Sequence, residues 1–254
     1  MIRTLLFDLD GTLLNVDIDY FLEQYIRALT PRLAHKMPPE KFARQLVASS
    51  MAMIQNTDPA KTNQQKFIED FFGKTGLSVE ETMPIFDDFY ANDFPKLKRH
   101  SRTDPNARRV VEAAVKRGYE VVLATNPVFP MSAIRERMRW AEVNDFDYLL
   151  VTAYEDMHFC KPYPQYYTEI LNRIGRRPEE CLMVGNDVDE DLSAARLGMK
   201  TYLVHDCLLN RNNAQYSADF EGQLSDLADF IKSGKVDELA EQRRISSSTA
   251  GCEA

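Results

Sequence analysis

Two carboxylates two residues apart, Asp8 and Asp10, follow the short apolar run Thr4-Leu5-Leu6-Phe7 and precede Gly11-Thr12. Residues i and i+2 of an extended strand share a side, so an unbroken strand would aim both acids at one spot. Like charges that close repel, and the pair needs a cation or a shared proton. A magnesium ion, which takes oxygen ligands, meets that need. One carboxylate can then attack phosphorus as a nucleophile, while the other serves as general acid and base. Gly11 permits a sharp exit from the strand. Asp-Gly is also a common turn dipeptide, so the reading depends on partners elsewhere in the chain.

Three further segments supply such partners. Thr125 and Asn126 follow the apolar run Val121-Val122-Leu123-Ala124 and offer a hydroxyl and an amide to a phosphate oxygen. Lys161, in Cys160-Lys161-Pro162-Tyr163-Pro164, precedes a proline that fixes the backbone just before a helix start. Its ammonium is a compact point charge with three donors, suited to neutralising phosphoryl oxygens. The acidic run Asn186-Asp187-Val188-Asp189-Glu190-Asp191 follows the apolar Cys181–Gly185. Acidic runs are commonly solvated, and Asp189 and Glu190 suit a helix N-terminus.

In this order the four segments resemble the haloacid dehalogenase-like superfamily, in its phosphatase branch with a helical cap (phosphoglycolate phosphatase-like), over about residues 1–232. The resemblance implies that Asp8 is the nucleophile and Asp10 the acid and base. It also implies that Thr125, Asn126 and Lys161 bind phosphate and that Mg²⁺ is the cofactor. Candidate metal ligands are Asp8, Asp10 (through its main-chain carbonyl), Asp187 and, second to it, Asp191. Asn186 stands where the family commonly has an acid directly after the glycine, which leaves the choice among Asn186, Asp187 and Asp191 open. The implied activity is hydrolysis of a small phosphorylated metabolite through an aspartyl phosphate. Asp10 argues against a dehalogenase, which lacks the second acid. A phosphomutase acting on a sugar phosphate shares all four motifs and is the alternative, as is a catalytically idle binding protein on the same fold.

The elements that must position these residues are legible as alternation. Apolar runs at 4–7, 121–125, 148–151, 181–185 and 201–204 read as buried strands of a parallel sheet. Between them, Asp104-Pro105 to Gly118 predicts a helix with Val110, Val111, Ala114 and Val115 inward. Ile134 and Met138 mark a second helix, Pro164 to Gly175 a third, and Asp189 to Leu197 a fourth closed by Gly198. This alternation implies a doubly wound, Rossmann-like α/β core with an inserted α-helical cap. The expected division is a core of residues 1–15 and 100–234, a cap of 16–99, and a flexible tail of 235–254. In the cap, Leu22, Ile26, Leu29 and Leu33 follow helical spacing, and Ser78 with Glu81 fits a capping box. Tyr20, Tyr25 and the cap's Lys and Arg residues are candidates for contacting the leaving group.

Bulk properties narrow the function further. The net charge of −8 over 254 residues argues against a nucleic-acid partner. No run is long enough to span a membrane, and the N-terminal stretch lacks the pattern of a secretory signal. A cytoplasmic location is the default expectation. The four cysteines show no metal-ligand spacing, and free thiols are expected.

Overall fold

The computed structural model describes residues 1–237. In chain order, β1 (Thr4–Phe7) leads into the short β2 (Leu14–Asn15). Helices α1 (Ile18–Leu33), α2 (Pro39–Ile54), α3 (Asn63–Thr75) and α4 (Val79–Asn92) follow, with a 3₁₀ turn at Phe94–His100. The chain returns through β3 (Arg102–Thr103) to α5 (Pro105–Lys116), β4 (Glu120–Leu123), α6 (Met131–Trp140) and β5 (Leu150–Val151). Then come α7 (Pro164–Ile174), β6 (Cys181–Gly185), β7 (Lys200–Val204), β8 (Phe220–Gly222) and α8 (Leu224–Ser233).

Six strands form one sheet in the order β5-β4-β1-β6-β7-β8, and every neighbouring pair is parallel. β1 lies in its interior, pairing Leu5 with Val121 on one side and Leu182 on the other. Its side chains alternate between two apolar clusters. Leu5 and Phe7 join α5, α6, α8 and the helical insert, while Leu6 joins α7. A strand buried on both faces needs a continuous apolar sequence, and all four β1 residues are fully buried.

The helix signals act largely as their chemistry dictates. Asp104 caps α5 by accepting the Asn106 N–H at 2.8 Å. Gly118 and Gly175, both at positive φ, follow the ends of α5 and α7. Val110, Val111 and Ala114 are buried as expected, but Val115 is 44% exposed, so the inward stripe of α5 is narrower than its sequence pattern. Ser78 accepts the Glu81 N–H, but the Glu81 carboxylate pairs with Lys36 instead of reaching back to the Ser78 N–H, so only half of the expected capping box forms. The full box belongs to Thr62 and Gln65 at α3. α4 continues through Pro84.

The helix expected over Asp189–Leu197 is instead a 3₁₀ segment, Leu192–Leu197. Asp187 Oδ1 accepts the N–H groups of Asp189 and Glu190, and Asp191 Oδ2 accepts that of Asp187. Such local side-chain bonds compete with the α-helical ladder. β2, β3 and β8 were not evident in the sequence; two or three residues carry no periodicity to detect.

The insert leaves and re-enters through β2 and β3, which pair antiparallel, Leu14 opposite Thr103 and Asn15 opposite Arg102. It is seated on the core. Asn63 and Gln64 donate their backbone N–H groups to Met157 and Tyr154, at 2.7 and 2.8 Å. Phe94 stacks on Trp140 and Tyr25 meets Phe129 edge-on. Beyond Gly234, within the stretch expected to be a tail, Val236 is buried and Asp237 accepts a bond from Tyr119. The rest of that stretch lies outside the described residues. No helix among the described residues is long and apolar enough to cross a membrane.

Candidate active site

The carboxyl ends of β1, β4 and β6 converge on a cavity of about 160 Å³. Open parallel sheets place ligands at this edge because the loops there diverge. Asp8, Asp10, Thr125, Asn126, Asp187 and Asp191 all line it, although they come from three separate strand ends. β1 stops at Phe7, and one further backbone bond, from Asp8 N–H to Val184, holds Asp8 in line. The chain then turns, with Thr12 and Leu14 N–H both bonding to Leu9. Asp8 and Asp10 therefore share the cavity through a turn, not through a continuing strand. Gly11 is required in this turn. Its φ is +86°, and an added Cβ would lie 2.4 Å from the Asn186 amide nitrogen.

Lys161 is fully buried. Its ammonium donates to Asp8 Oδ1 at 2.9 Å and to Asp191 Oδ1 at 2.7 Å. Burial alone would depress this ammonium, but Asp191 and Asp8 together hold it well above the ordinary lysine range. The carboxylates feel burial in the opposite sense. Burial pushes Asp8 up, opposed by Lys161 and reinforced by Asp10. Asp191 is pushed up to about 7, again by burial against the pull of Lys161. Glu190 rises to about 8 through burial, with Asp191 and Asp187 adding to it. Gly185 makes room for Asp191, whose carboxylate would lie 2.0 Å from an added Cβ.

The remaining partners fix orientation. Thr12 Oγ1 donates to Asn186 Oδ1 at 2.9 Å and more weakly to Asp8 Oδ2 at 3.3 Å. Asn186 donates in turn to the Cys207 carbonyl, so its amide braces the β1 turn. Asn126 accepts the Lys161 N–H and donates to Glu190. The main-chain carbonyl of Thr125 accepts from Thr152 and Tyr166, and its hydroxyl has no hydrogen-bond partner among the described residues.

Two arginines complete the site, and neither was evident in the sequence. Arg137 on α6 is buried, donates to Asp10 Oδ2, and lies 4.5 Å from the centre of the Phe129 ring. Asp10 Oδ1 and Arg137 Nη2 are both buried without hydrogen-bond partners among the described residues. The detectable signal was a charged residue on the face of α6 that also carries Ala133, Ile134 and Met138. Arg211, from the β7–β8 loop, donates to Asp187 Oδ2 at 2.7 Å and to Asp19 of α1 at 3.1 Å. It thereby bridges core and insert.

Neighbouring residues differ in exposure. Tyr25 packs inward beneath the insert, whereas Tyr20 is 47% exposed beside His100. The thiols of Cys160, Cys181 and Cys207 are free, as expected, and Cys252 lies outside the described residues. Burial pushes the Cys160 thiol up despite its place next to Lys161.

The donor set suits a hard cation. Five carboxylates line the cavity, Asp8, Asp10, Asp187, Glu190 and Asp191, against the cationic Lys161, Arg137 and Arg211. Among the described residues no three His, Cys, Asp or Glu side chains form a metal cluster by themselves. Asp191 has both oxygens engaged, by Lys161 and by the Asp187 N–H. An ion here would complete its shell with main-chain oxygen and water, as Mg²⁺ commonly does.

Comparison with known proteins places this geometry in context. The family model for haloacid dehalogenase-like hydrolases matches residues 2–198. The pyrophosphatase PpaX of Bacillus cereus (strain AH820) is 25% identical over 232 residues, covering 91% of this chain and 96% of its own. A HAD phosphatase from Thermococcus onnurineus superposes with a TM-score of 0.57 at 20% identity, covering 91% of this chain and 98% of that one. The HAD-hydrolase YfnB from Bacillus subtilis, a structure with bound magnesium, gives 0.53 at 17% identity, with 91% and 98% covered.

Proposed function

The chain belongs to the haloacid dehalogenase-like hydrolases, and from that premise we propose that it is a magnesium-dependent phosphatase hydrolysing a small phosphate monoester through an aspartyl phosphate on Asp8. The observation that carries this reading is the buried Asp8–Lys161–Asp191 array with Asp10 on the same cavity. A structural ion pair would not require a second carboxylate and an unbonded threonine hydroxyl beside it.

In the first step Asp8 attacks phosphorus, the bond from phosphorus to the ester oxygen breaks, and Asp10 delivers a proton to that oxygen. In the second, Asp10 takes a proton from water as the water oxygen attacks phosphorus. Phosphate leaves, and both carboxyl groups return to their starting states. Arg137 holds Asp10 Oδ2 and so orients the carboxyl group that hands over the proton. Lys161 and Thr125 supply donors to the phosphoryl oxygens, so catalysis is chiefly positioning and electrostatics. Asp8, Asp187 and the main-chain carbonyl of Asp10 would hold Mg²⁺, with Asp187 exchanging Arg211 for the ion. The bound ion supplies positive charge that offsets repulsion between nucleophile and phosphate.

The helical insert, residues 16–99, acts in this reading as a cap over the leaving group. The assay is release of p-nitrophenol from p-nitrophenyl phosphate. The expected result is turnover with Mg²⁺, loss in excess EDTA, and recovery when Mg²⁺ is restored. Full activity in EDTA, or none with Mg²⁺, contradicts the proposal.

A further inference from the structure

Next to the reaction cavity lies a second one of about 250 Å³, lined by α1, α2, α3, α4 and the loops after β4 and β5. The two share Leu22, Ile54, Val128 and Phe129 as a common wall. Their linings differ in kind. The reaction cavity carries five carboxylates and one arginine, Arg211. The second cavity is aromatic and aliphatic, and among the described residues no Lys, Arg or His lines it. Its polar points are Ser50, Asp87 and tyrosine hydroxyls, two of which, on Tyr25 and Tyr90, bond to each other at 2.8 Å.

Protein interiors pack at crystal density with few voids larger than a water molecule. This cavity opens to solvent past Val47 and Met51, 48% and 45% exposed, and a bound apolar group would remove its apolar lining from water. Its position defines the occupant. A phosphoryl group held at Asp8 has its ester oxygen near Asp10, and the shared wall begins there. A charged leaving group would meet that wall without a counter-charge, which burial penalises heavily.

Resting on the phosphatase reading above, we infer that the substrate is the phosphate monoester of a predominantly apolar alcohol, whose carbon skeleton fills the second cavity. Cavities of about 150 Å³ accept benzene, so 250 Å³ takes one ring with a short chain or its aliphatic equivalent. Pyrophosphate, the substrate class named for the PpaX relative, fits this wall poorly.

The test is kcat/KM with Mg²⁺ for the n-alkyl phosphates from ethyl to octyl, whose leaving groups have similar intrinsic reactivity, alongside pyrophosphate. Burial of one methylene is worth about a fourfold gain. The expected series therefore rises about three- to fourfold per carbon, levels once the cavity is full, and leaves pyrophosphate below hexyl phosphate. A flat series, or a tenfold preference for pyrophosphate, overturns the inference while the phosphatase reading stands. Turnover of p-nitrophenyl phosphate with none of the alkyl esters accepted overturns it as well. No turnover of any ester sinks the phosphatase reading itself. Met83→Trp, which fills the cavity from α4, is expected to flatten the chain-length dependence. Calorimetric binding of alkylphosphonates to the unaltered protein reads the same dependence without turnover or substitution, and equal Kd for methyl- and hexylphosphonate counts against the cavity.

Discussion

At the carboxyl edge of the sheet, Lys161 is buried between Asp8 and Asp191, and specific hydrogen bonds fix these groups in place. A few side chains away, beneath the insert, Phe67, Phe86 and Tyr25 surround an apolar space with few directional contacts. The first region fixes atoms and the second fixes volume. Removing one member of a buried ion pair typically costs about 3–5 kcal/mol, whereas volume-conserving apolar exchanges usually cost under about 1.5 kcal/mol. The acidic corner therefore demands particular residues, while many sequences could build the cavity. Reaction type is held tightly in such a molecule and leaving-group choice loosely.

Substitutions can break or sharpen this contrast. The largest expected effect is Asp8→Asn, which removes the proposed nucleophile while keeping its shape. Turnover of p-nitrophenyl phosphate should fall by about 10⁴ or more, with near-native circular dichroism and a melt that stays cooperative although shifted by the loss of the ion pair with Lys161. Retained turnover would mean that the corner is structural and that the contrast is misdrawn.

Arg137→Met should come next. It frees Asp10 Oδ2 but leaves Asp8, Lys161 and Asp191 untouched. General acid help contributes about 10²–10⁴, so hydrolysis of an alkyl phosphate should fall by about 10². An activated p-nitrophenyl ester, whose leaving group needs little protonation, should lose only a few-fold. Equal losses on both esters would show that Arg137 supports the fold and not the proton transfer.

The smallest effect is expected where the regions meet. Arg211 bridges Asp187 to Asp19, with its side chain 45% exposed and that of Asp19 69% exposed. The Arg211–Asp19 pair is exposed enough to be worth about 0.2–1 kcal/mol, and the more buried pair with Asp187, whose side chain is 10% exposed, gives way to the ion in the loaded enzyme on the reading above. Arg211→Ala should therefore change kcat/KM by about fivefold or less. A loss near 10² would place Arg211 on the substrate and move the boundary of the corner outward.

The same contrast explains what could be read from the sequence. Asp8, Asp10, Lys161 and the glycines at 11 and 185 stood out because their positions admit few alternatives. The sheet and most helices were legible from apolar runs and from punctuation such as Asp104-Pro105 and Gly175. Arg137 was hidden among exposed charges, since Arg135 and Arg139 flank it on the same helix. Arg211 lies in a polar loop with no periodicity, and its partners come from Asp187 and Asp19, remote in sequence. The second cavity has no local signature, because its wall is assembled from four helices and two loops. The run from Asp187 to Asp191 looked like a helix start because side-chain bonds to nearby N–H groups are invisible to helical periodicity.

The interior position of β1 has a consequence for how the molecule comes into being. The strand that leads into Asp8 precedes in the chain both strands that flank it. Thr4 bonds to Glu120 across a separation of 116 residues, and β6 begins only at Cys181. Until those segments are available, Leu5 and Leu6 sit on a strand with bare edges, a recognised route to aggregation. Pairings this remote also close slowly, because loop entropy is lost before the contacts reward it. Helices α1 to α4 are made in the interval and draw on nearby contacts, α2 against α3 above all. During synthesis Asp8 is thus made early and surrounded late. A nascent chain ending short of Gly185 has no Asp187 or Asp191 to assemble around Asp8, so the acidic corner takes shape only when the sheet is nearly whole.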